Sequence, residues 1–243
     1  MVTQLPPSSQ SNIIYPDSDE QPMADNTKQF ELIVLIKKNL DLLFADDANV
    51  FVAGDLLWYP VEGNNVNRRA PDVMVVFGRP KGDRGSYLQW QEDNIPPQVV
   101  FEILSPGNRA KDMIAKYKFY QRYGVEEYYL YDPDTEELTG WLRSEDELQE
   151  IEQMVGWVSP RLGIRFELVD NNLQIFRPDG QRFLSYLELD QLRQQECQRA
   201  EQERQRAENA ESRLLEERQR AENAEAELEA LRALLKARGI DPD

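Results

Sequence analysis

The chain has 243 residues and a formal net charge of −17, with 45 acidic against 28 basic side chains. It contains no histidine and a single cysteine, Cys197. These absences exclude a Ser-His-Asp triad, a histidine metal cage, an imidazole base, an internal disulfide and a cysteine zinc site.

Residues 1–24 are rich in Pro, Ser, Asn and Asp with little to bury, and read as a disordered arm. No charged head and apolar stretch marks a signal peptide, and the longest apolar runs, such as ELIVLI, are far short of a membrane span. A cytoplasmic protein with no membrane partner is expected. Residues 25–190 hold nearly all the aromatics and branched aliphatics and form the expected domain. Within it, residues 27–45 carry apolar side chains at helical spacing. NVFVAGDLLWYPV reads as one strand, followed by turn residues Gly63-Asn64-Asn65. RRAPDVMVVFG is a strand opened by Pro71 and closed by Gly78, and residues 79–97 form a long polar loop. QVVFEILS is the next strand, ended by Ser105-Pro106-Gly107. A helix follows over 109–123, with Gly124 as its stop. EEYYLYDPDTEELTGWLR reads as a hairpin about Asp132-Pro133-Asp134, and LQIFRPDGQRF as another about Pro178-Asp179-Gly180. Helix, strands, helix, strands indicates a mixed α/β sheet with helical cover.

The character changes at about residue 191. QRAENAE occurs at 205–211 and again at 219–225. Ala200, Ala207, Leu214, Ala221, Leu228 and Leu235 recur every seven residues, with Ala210, Ala224 and Leu231 three positions further on, interrupted by Glu203 and Glu217. Residues 191–243 therefore read as a self-associating coiled coil, and a homo-oligomer is expected. The alternative is a single solvated helix held by Glu–Arg pairs. The acidity lies mainly before this segment, about −14 of the total. It weighs against a general affinity for phosphates.

One carboxylate stands out. In VVFEIL, Glu102 shares a strand face with Val100 and Leu104, and an ionised carboxylate among apolar neighbours must be paired, protonated or given a cation. Asp72, at the head of DVMVVF, poses the same problem, and two such strands could bring both carboxylates to one cation. On the following helix Asp112, Lys116 and Tyr120 form one stripe, while Lys118 points to the opposite side. A lysine aimed there would stabilise a hydroxide nucleophile and the charge building on a phosphate. Simpler readings stand beside these: Asp72 ending a strand, Glu102 facing water on an edge strand, and Asp112–Lys116 as an exposed helix pair.

RAPDVMVVFG followed by VVFEILSPGNRAKDMIAKYKFYQRYGVEEYYLYDP resembles the Uma-type family of bacterial restriction endonucleases, within the PD-(D/E)XK nuclease superfamily. The likeness covers residues 27–190 and leaves out the arm and the coiled coil. It implies a restriction-endonuclease-like α/β fold, a mixed sheet with flanking helices about an αβββαβ core. It further implies that Asp72, after Pro71, and Glu102 hold Mg²⁺, for which Mn²⁺ can substitute, helped by the backbone carbonyl of Ile103. The superfamily's usual lysine lies two residues after the second acid, where this chain has Leu104. The family resembles this chain in carrying the lysine on the following helix, at Lys116, with Asp112 and Tyr120 to steady it or the surroundings of the metal. The expected activity is Mg²⁺-dependent hydrolysis of DNA phosphodiesters, with Arg68-Arg69, Arg79-Lys81-Arg84 and Arg109-Lys111 either gripping phosphates or lying in solvent. The competing expectation is a non-catalytic assembly protein that uses a nuclease-like fold as scaffold and the coiled coil as its working part.

Overall fold

The computed structural model describes residues 13–18, 24, 26–107, 110–170 and 172–239, in two units that divide between residues 185 and 186. Most of the expected arm, and Arg109, lie outside the described residues. Residues 13–18 of that arm rest on the domain, where Tyr15 meets the rings of Tyr59 and Trp90 and the Tyr59 hydroxyl donates to the Pro16 carbonyl at 2.8 Å.

Asn26 opens helix α1 (Thr27–Leu43) by accepting the Gln29 N–H at 2.8 Å, which satisfies one of the amides a helix start leaves unpaired. Ile33, Ile36 and Leu40 form its buried stripe. The strands that follow are β1 (Val50–Gly54), β2 (Trp58–Tyr59), β3 (Val73–Phe77), β4 (Tyr87–Leu88) and β5 (Val99–Ile103). After helix α2 (Ala110–Arg122) come β6 (Glu127–Asp132), β7 (Glu137–Ser144), β8 (Glu147–Glu150), β9 (Arg165–Val169) and β10 (Asn172–Phe176). The second unit is one continuous helix, α3 (Tyr186–Ala237). No helix among the described residues is long and apolar enough to cross a membrane.

Six strands form one mixed sheet in the order β1-β3-β5-β6-β7-β8. Every neighbouring pair is antiparallel except β5 with β6. A parallel pair cannot be joined by a tight turn, so the chain crosses over through α2. Odd-numbered residues of β3 and β5 (Val73, Val75, Val99, Phe101 and Ile103) pack with the α1 stripe. Even-numbered ones (Met74, Val76 and Val100) pack with Phe119 and Tyr120 of α2. Both strands are thus buried on both faces, which accounts for their near-continuous apolar runs.

Three elements depart from the sequence reading. The expected strand NVFVAGDLLWYPV breaks at Asp55, whose φ of 49° lies in the left-handed region, and Trp58–Tyr59 leaves to pair with Tyr87–Leu88 in a separate two-stranded sheet. The hairpin expected about residues 178–180 closes only at a single bridge, Phe176 with Arg182; β10 pairs instead with β9, which was not anticipated. The long polar loop is tied down from within: Glu92 accepts from Arg79 Nε at 2.8 Å and Arg84 Nε at 2.6 Å, and Lys81 Nζ donates to the Ala45 carbonyl at 2.7 Å.

Besides Asp72 and Glu102 a third carboxylate is buried, Glu127, which begins β6 at 1% exposure. It accepts from the Tyr129 hydroxyl at 2.8 Å, from the Arg161 N–H at 2.6 Å and from the Ser159 hydroxyl. This knot fastens the 159–161 turn to the sheet. Glu127→Ala leaves three donors facing a void and is expected to lower unfolding free energy by about 2–4 kcal/mol, measured by urea denaturation.

Candidate active site

The site follows from the register of two strands. Val73 pairs with Phe101 and Met74 with Val100, so one further step, just past the ladder, sets Asp72 opposite Glu102. Both side chains lie on the α2 face, because they share parity with Met74 and Val100. Leu104 N–H binds the Tyr131 carbonyl of β6, so the neighbouring Ile103 amide turns the other way, toward the end of β3. There it donates to Asp72 Oδ2 at 2.6 Å.

Helix α2 supplies the remaining groups. Glu102 is only 2% exposed. Its Oε2 accepts from Lys116 Nζ at 2.6 Å and its Oε1 from the Tyr120 hydroxyl. Lys116 and Tyr120 are one turn apart and reach the same carboxylate from one side. Tyr120 is held by Trp58, Phe119 and Tyr128, with ring centroids 6.4, 5.8 and 5.1 Å away. Asp112, a further turn back, is exposed and forms no hydrogen bond or ion pair among the described residues; the structure does not bring it into the cluster. Lys118 is exposed, as its spacing indicated.

Two carboxylates face one ammonium in a largely dry site. Burial pushes the Asp72 carboxyl well above the usual range, and the nearby Glu102 charge pushes it further; Lys116 and the Ile103 N–H only partly oppose this. Burial alone would lower the Lys116 ammonium, but Glu102 and Asp72 outweigh it and hold Lys116 above its ordinary value. Burial and the Glu102 charge raise the Tyr120 phenol. Ionised together, the two carboxylates would outnumber the single ammonium, and this repulsion helps to hold the proton on Asp72.

Two groups near this centre, Gln29 and Tyr128, escaped the sequence reading. Gln29 Nε2 reaches from α1 to the Ile103 carbonyl at 2.8 Å, inside the protein. Its signal was present: it stands four residues before Ile33, a polar side chain on the buried stripe. Tyr128 lies on the same sheet face between Tyr120 and Trp141, and its buried hydroxyl finds no partner among the described residues. Arg69 lies over the Phe119 ring at 5.4 Å, close enough for its charge to bear on Lys116. Of the other expected basic groups, Arg79 and Arg84 serve Glu92, Arg68 donates to the Asn65 carbonyl at 2.9 Å, and Lys111 is exposed.

The donor chemistry fits a hard cation. Asp72, Glu102 and the Ile103 carbonyl offer only oxygen, the repulsion that raises the Asp72 carboxyl is what a bound cation would relieve, and the unpartnered Tyr128 hydroxyl is on the same sheet face. No group of three or more acidic, histidine or cysteine side chains suited to a metal occurs among the described residues. A cation here therefore needs the backbone carbonyl, the substrate or water to complete its shell.

Comparison with known proteins adds the following. A family model described as "Uma2: Putative restriction endonuclease" matches residues 20–169. Among solved structures, the chain is similar to a crystal structure described as a "putative nuclease belonging to DUF820" from Anabaena variabilis ATCC 29413. That likeness has 14% identity and a TM-score of 0.42, and covers 56% of this chain and 72% of the other. No curated protein matches.

The raised Asp72 carboxyl has a stability consequence. The native state holds this proton more tightly than the unfolded chain, whose value is near 3.8. The cost of ionising it in the fold is absent below that value and grows as pH rises toward the native one. In chelator, Asp72→Asn is expected to be more stable than the native chain at neutral pH, with the gap closing as pH falls toward 4. Urea denaturation across that range measures it; a less stable variant at neutral pH would show that the bond to Ile103 outweighs the repulsion.

Proposed function

The chain belongs to the Uma2 family, and from that membership and the convergence of Asp72, Glu102 and Lys116 we propose that it is a cytoplasmic, Mg²⁺-dependent endonuclease that hydrolyses phosphodiester bonds of DNA. The observation that carries the reading is Glu102. A carboxylate 2% exposed, opposite a second carboxylate and under one lysine, is costly as a structural device and apt for holding a cation.

Asp72, Glu102 and the Ile103 carbonyl would hold the ion, and Mn²⁺ suits the same oxygen donors. When bound, the cation supplies Lewis-acid polarisation of the phosphate and a more acidic water. The chain's own residues do the rest. Without a cation, Glu102 and Asp72 hold the Lys116 ammonium above its ordinary value, so the role that suits it is that of a charge rather than a base. At 21% exposure it is the polar group by which this cluster meets solvent, and its charge stabilises the negative charge that gathers on phosphate oxygens. Tyr120 fixes the second oxygen of Glu102 and so sets the plane of that carboxylate. Gln29 orients the Ile103 carbonyl from the opposite side of the sheet.

One observation favours a second reading, an assembly protein without catalysis. The protein carries a net charge of −17, and Arg79, Lys81 and Arg84 are engaged in holding a loop rather than offered to a polyanion.

Plasmid cleavage with Mg²⁺ or Mn²⁺ separates the two. Glu102→Gln keeps the shape of the site and is expected to abolish cleavage; Lys116→Met is expected to reduce the rate about 10²–10³-fold. No cleavage by the native chain on any DNA would support the assembly reading. Independently of activity, Mn²⁺ at a hundredfold excess over its dissociation constant is expected to stabilise the native chain by about 2.7 kcal/mol. The same addition should leave Asp72→Asn unchanged in thermal denaturation. Equal stabilisation of both would remove Asp72 from the metal set.

A further inference from the structure

Helix α3 is 52 residues long, about 78 Å, and none of its described side chains is buried. Leu214, Leu228, Leu231 and Leu234 are all exposed along it. Ion pairs within the helix are few and weak among the described residues, for example Arg204 with Glu201 at 3.0 Å and Arg220 with Glu216 at 3.9 Å. A helix of this length with unburied leucines lacks the tertiary packing from which most helical stability comes.

We propose that α3 pairs with α3 of a second copy as a parallel, in-register, two-stranded coiled coil. In heptad letters, a is Ala200, Ala207, Leu214, Ala221, Leu228 and Leu235, and d is Glu203, Ala210, Glu217, Ala224 and Leu231. The direction follows first from where the leucines lie. Leu228, Leu231 and Leu235 occupy the C-terminal end of the seam, so parallel pairing sets leucine against leucine in three successive layers. Antiparallel pairing of the same seam, Ala200 to Leu235, would set that end against Ala200, Glu203 and Ala207.

The flanking charges agree. The g positions are Arg199, Arg206, Arg213, Arg220 and Glu227, and the e positions are Arg204, Glu211, Arg218, Glu225 and Arg232. In parallel register each g residue faces the e residue of the next heptad on the other helix. That joins Arg206 to Glu211 of the second copy, Arg220 to its Glu225, and Glu227 to its Arg232. The two like-charged pairs, Arg199 with Arg204 and Arg213 with Arg218, fall at the two layers where d is a glutamate, Glu203 and Glu217. In a parallel pair a d side chain packs against e of the opposite helix, so each surplus arginine meets a core glutamate. The alternation of the fourteen-residue repeat thus places opposite charge at each of these layers. Alanines at a and d allow close approach along the N-terminal half, and the leucines supply apolar burial at the other end. In a parallel pair both preceding domains are tethered by chain continuity to the same end of the supercoil. On the nuclease reading this raises the effective concentration of a second active site.

The test reads mass and cross-linking of the full chain, neither of which depends on catalysis. Light scattering is expected to give twice the 28.3 kDa of one chain. Leu228→Glu with Leu231→Glu should return it to one chain while leaving the near-ultraviolet spectrum of the domain unchanged. Single-cysteine chains, Cys197→Ser with Ala207→Cys or with Ala221→Cys, should each form a covalent dimer on mild oxidation, because a faces a only in a parallel in-register pair. A native mass of one chain, or of three or more, overturns the proposal. So does a dimer that survives both glutamates, or one in which neither cysteine cross-links to its own copy.

Discussion

A charged side chain in a strand buried on both faces is the constraint around which the domain is arranged. Glu102 lies in β5, with the α1 core behind the strand and the α2 core in front of it. Its burial is tolerable because its two oxygens are taken by Lys116 and Tyr120, one turn apart on the helix that the parallel β5–β6 pair requires. Removing one partner from a buried pair of this kind typically costs several kcal/mol. The crossover therefore has two duties: it covers a sheet face and completes an ion pair.

The pairing is incomplete, and on the proposed reading a cation would complete it. Asp72 lies opposite Glu102 because the antiparallel β3–β5 register, extended by one residue, leaves it no other place. One ammonium serves two carboxylates, and the Ile103 N–H compensates only part of the surplus. A fold optimised for stability alone would not keep such a pair; a site that takes up a cation gains from having it. The polar groups around it come from separate layers. Gln29 approaches from α1, Lys116 and Tyr120 from α2, and Tyr128 from β6, so sheet and both helices must be assembled before the site exists.

Elsewhere acidic side chains hold several of the domain's cations. Glu92 ties Arg79 and Arg84 into the loop that crosses the β1 side of the sheet, and Glu126 holds Arg161 beside the Glu127 knot. Arg69 remains within electrostatic reach of Lys116, and Lys111 is exposed near the start of α2. If phosphate is the substrate, these and the cation itself carry the attraction, and binding should depend less on salt than for a protein with a broad basic face.

What was legible in the sequence is what backbone geometry imposes on neighbours. The two-residue alternation of a strand set Glu102 on the face of Val100. The four-residue spacing of a helix put Lys116 and Tyr120 together and Lys118 apart, and the seven-residue repeat marked α3 as a separate element. Asp112 shows where that reasoning stops: it shares the stripe of Lys116 and Tyr120, but its turn is exposed and brings it to neither carboxylate. The departure of Trp58–Tyr59 to β4, the pairing of β10 with β9 and the capture of the loop arginines by Glu92 were decided by tertiary structure. So was the meeting of Asp72 with Glu102, thirty residues apart, and of Gln29 with Ile103, more than seventy apart. Periodicity is a property of one segment, whereas register and pairing are settled only when distant segments bury their surfaces against each other.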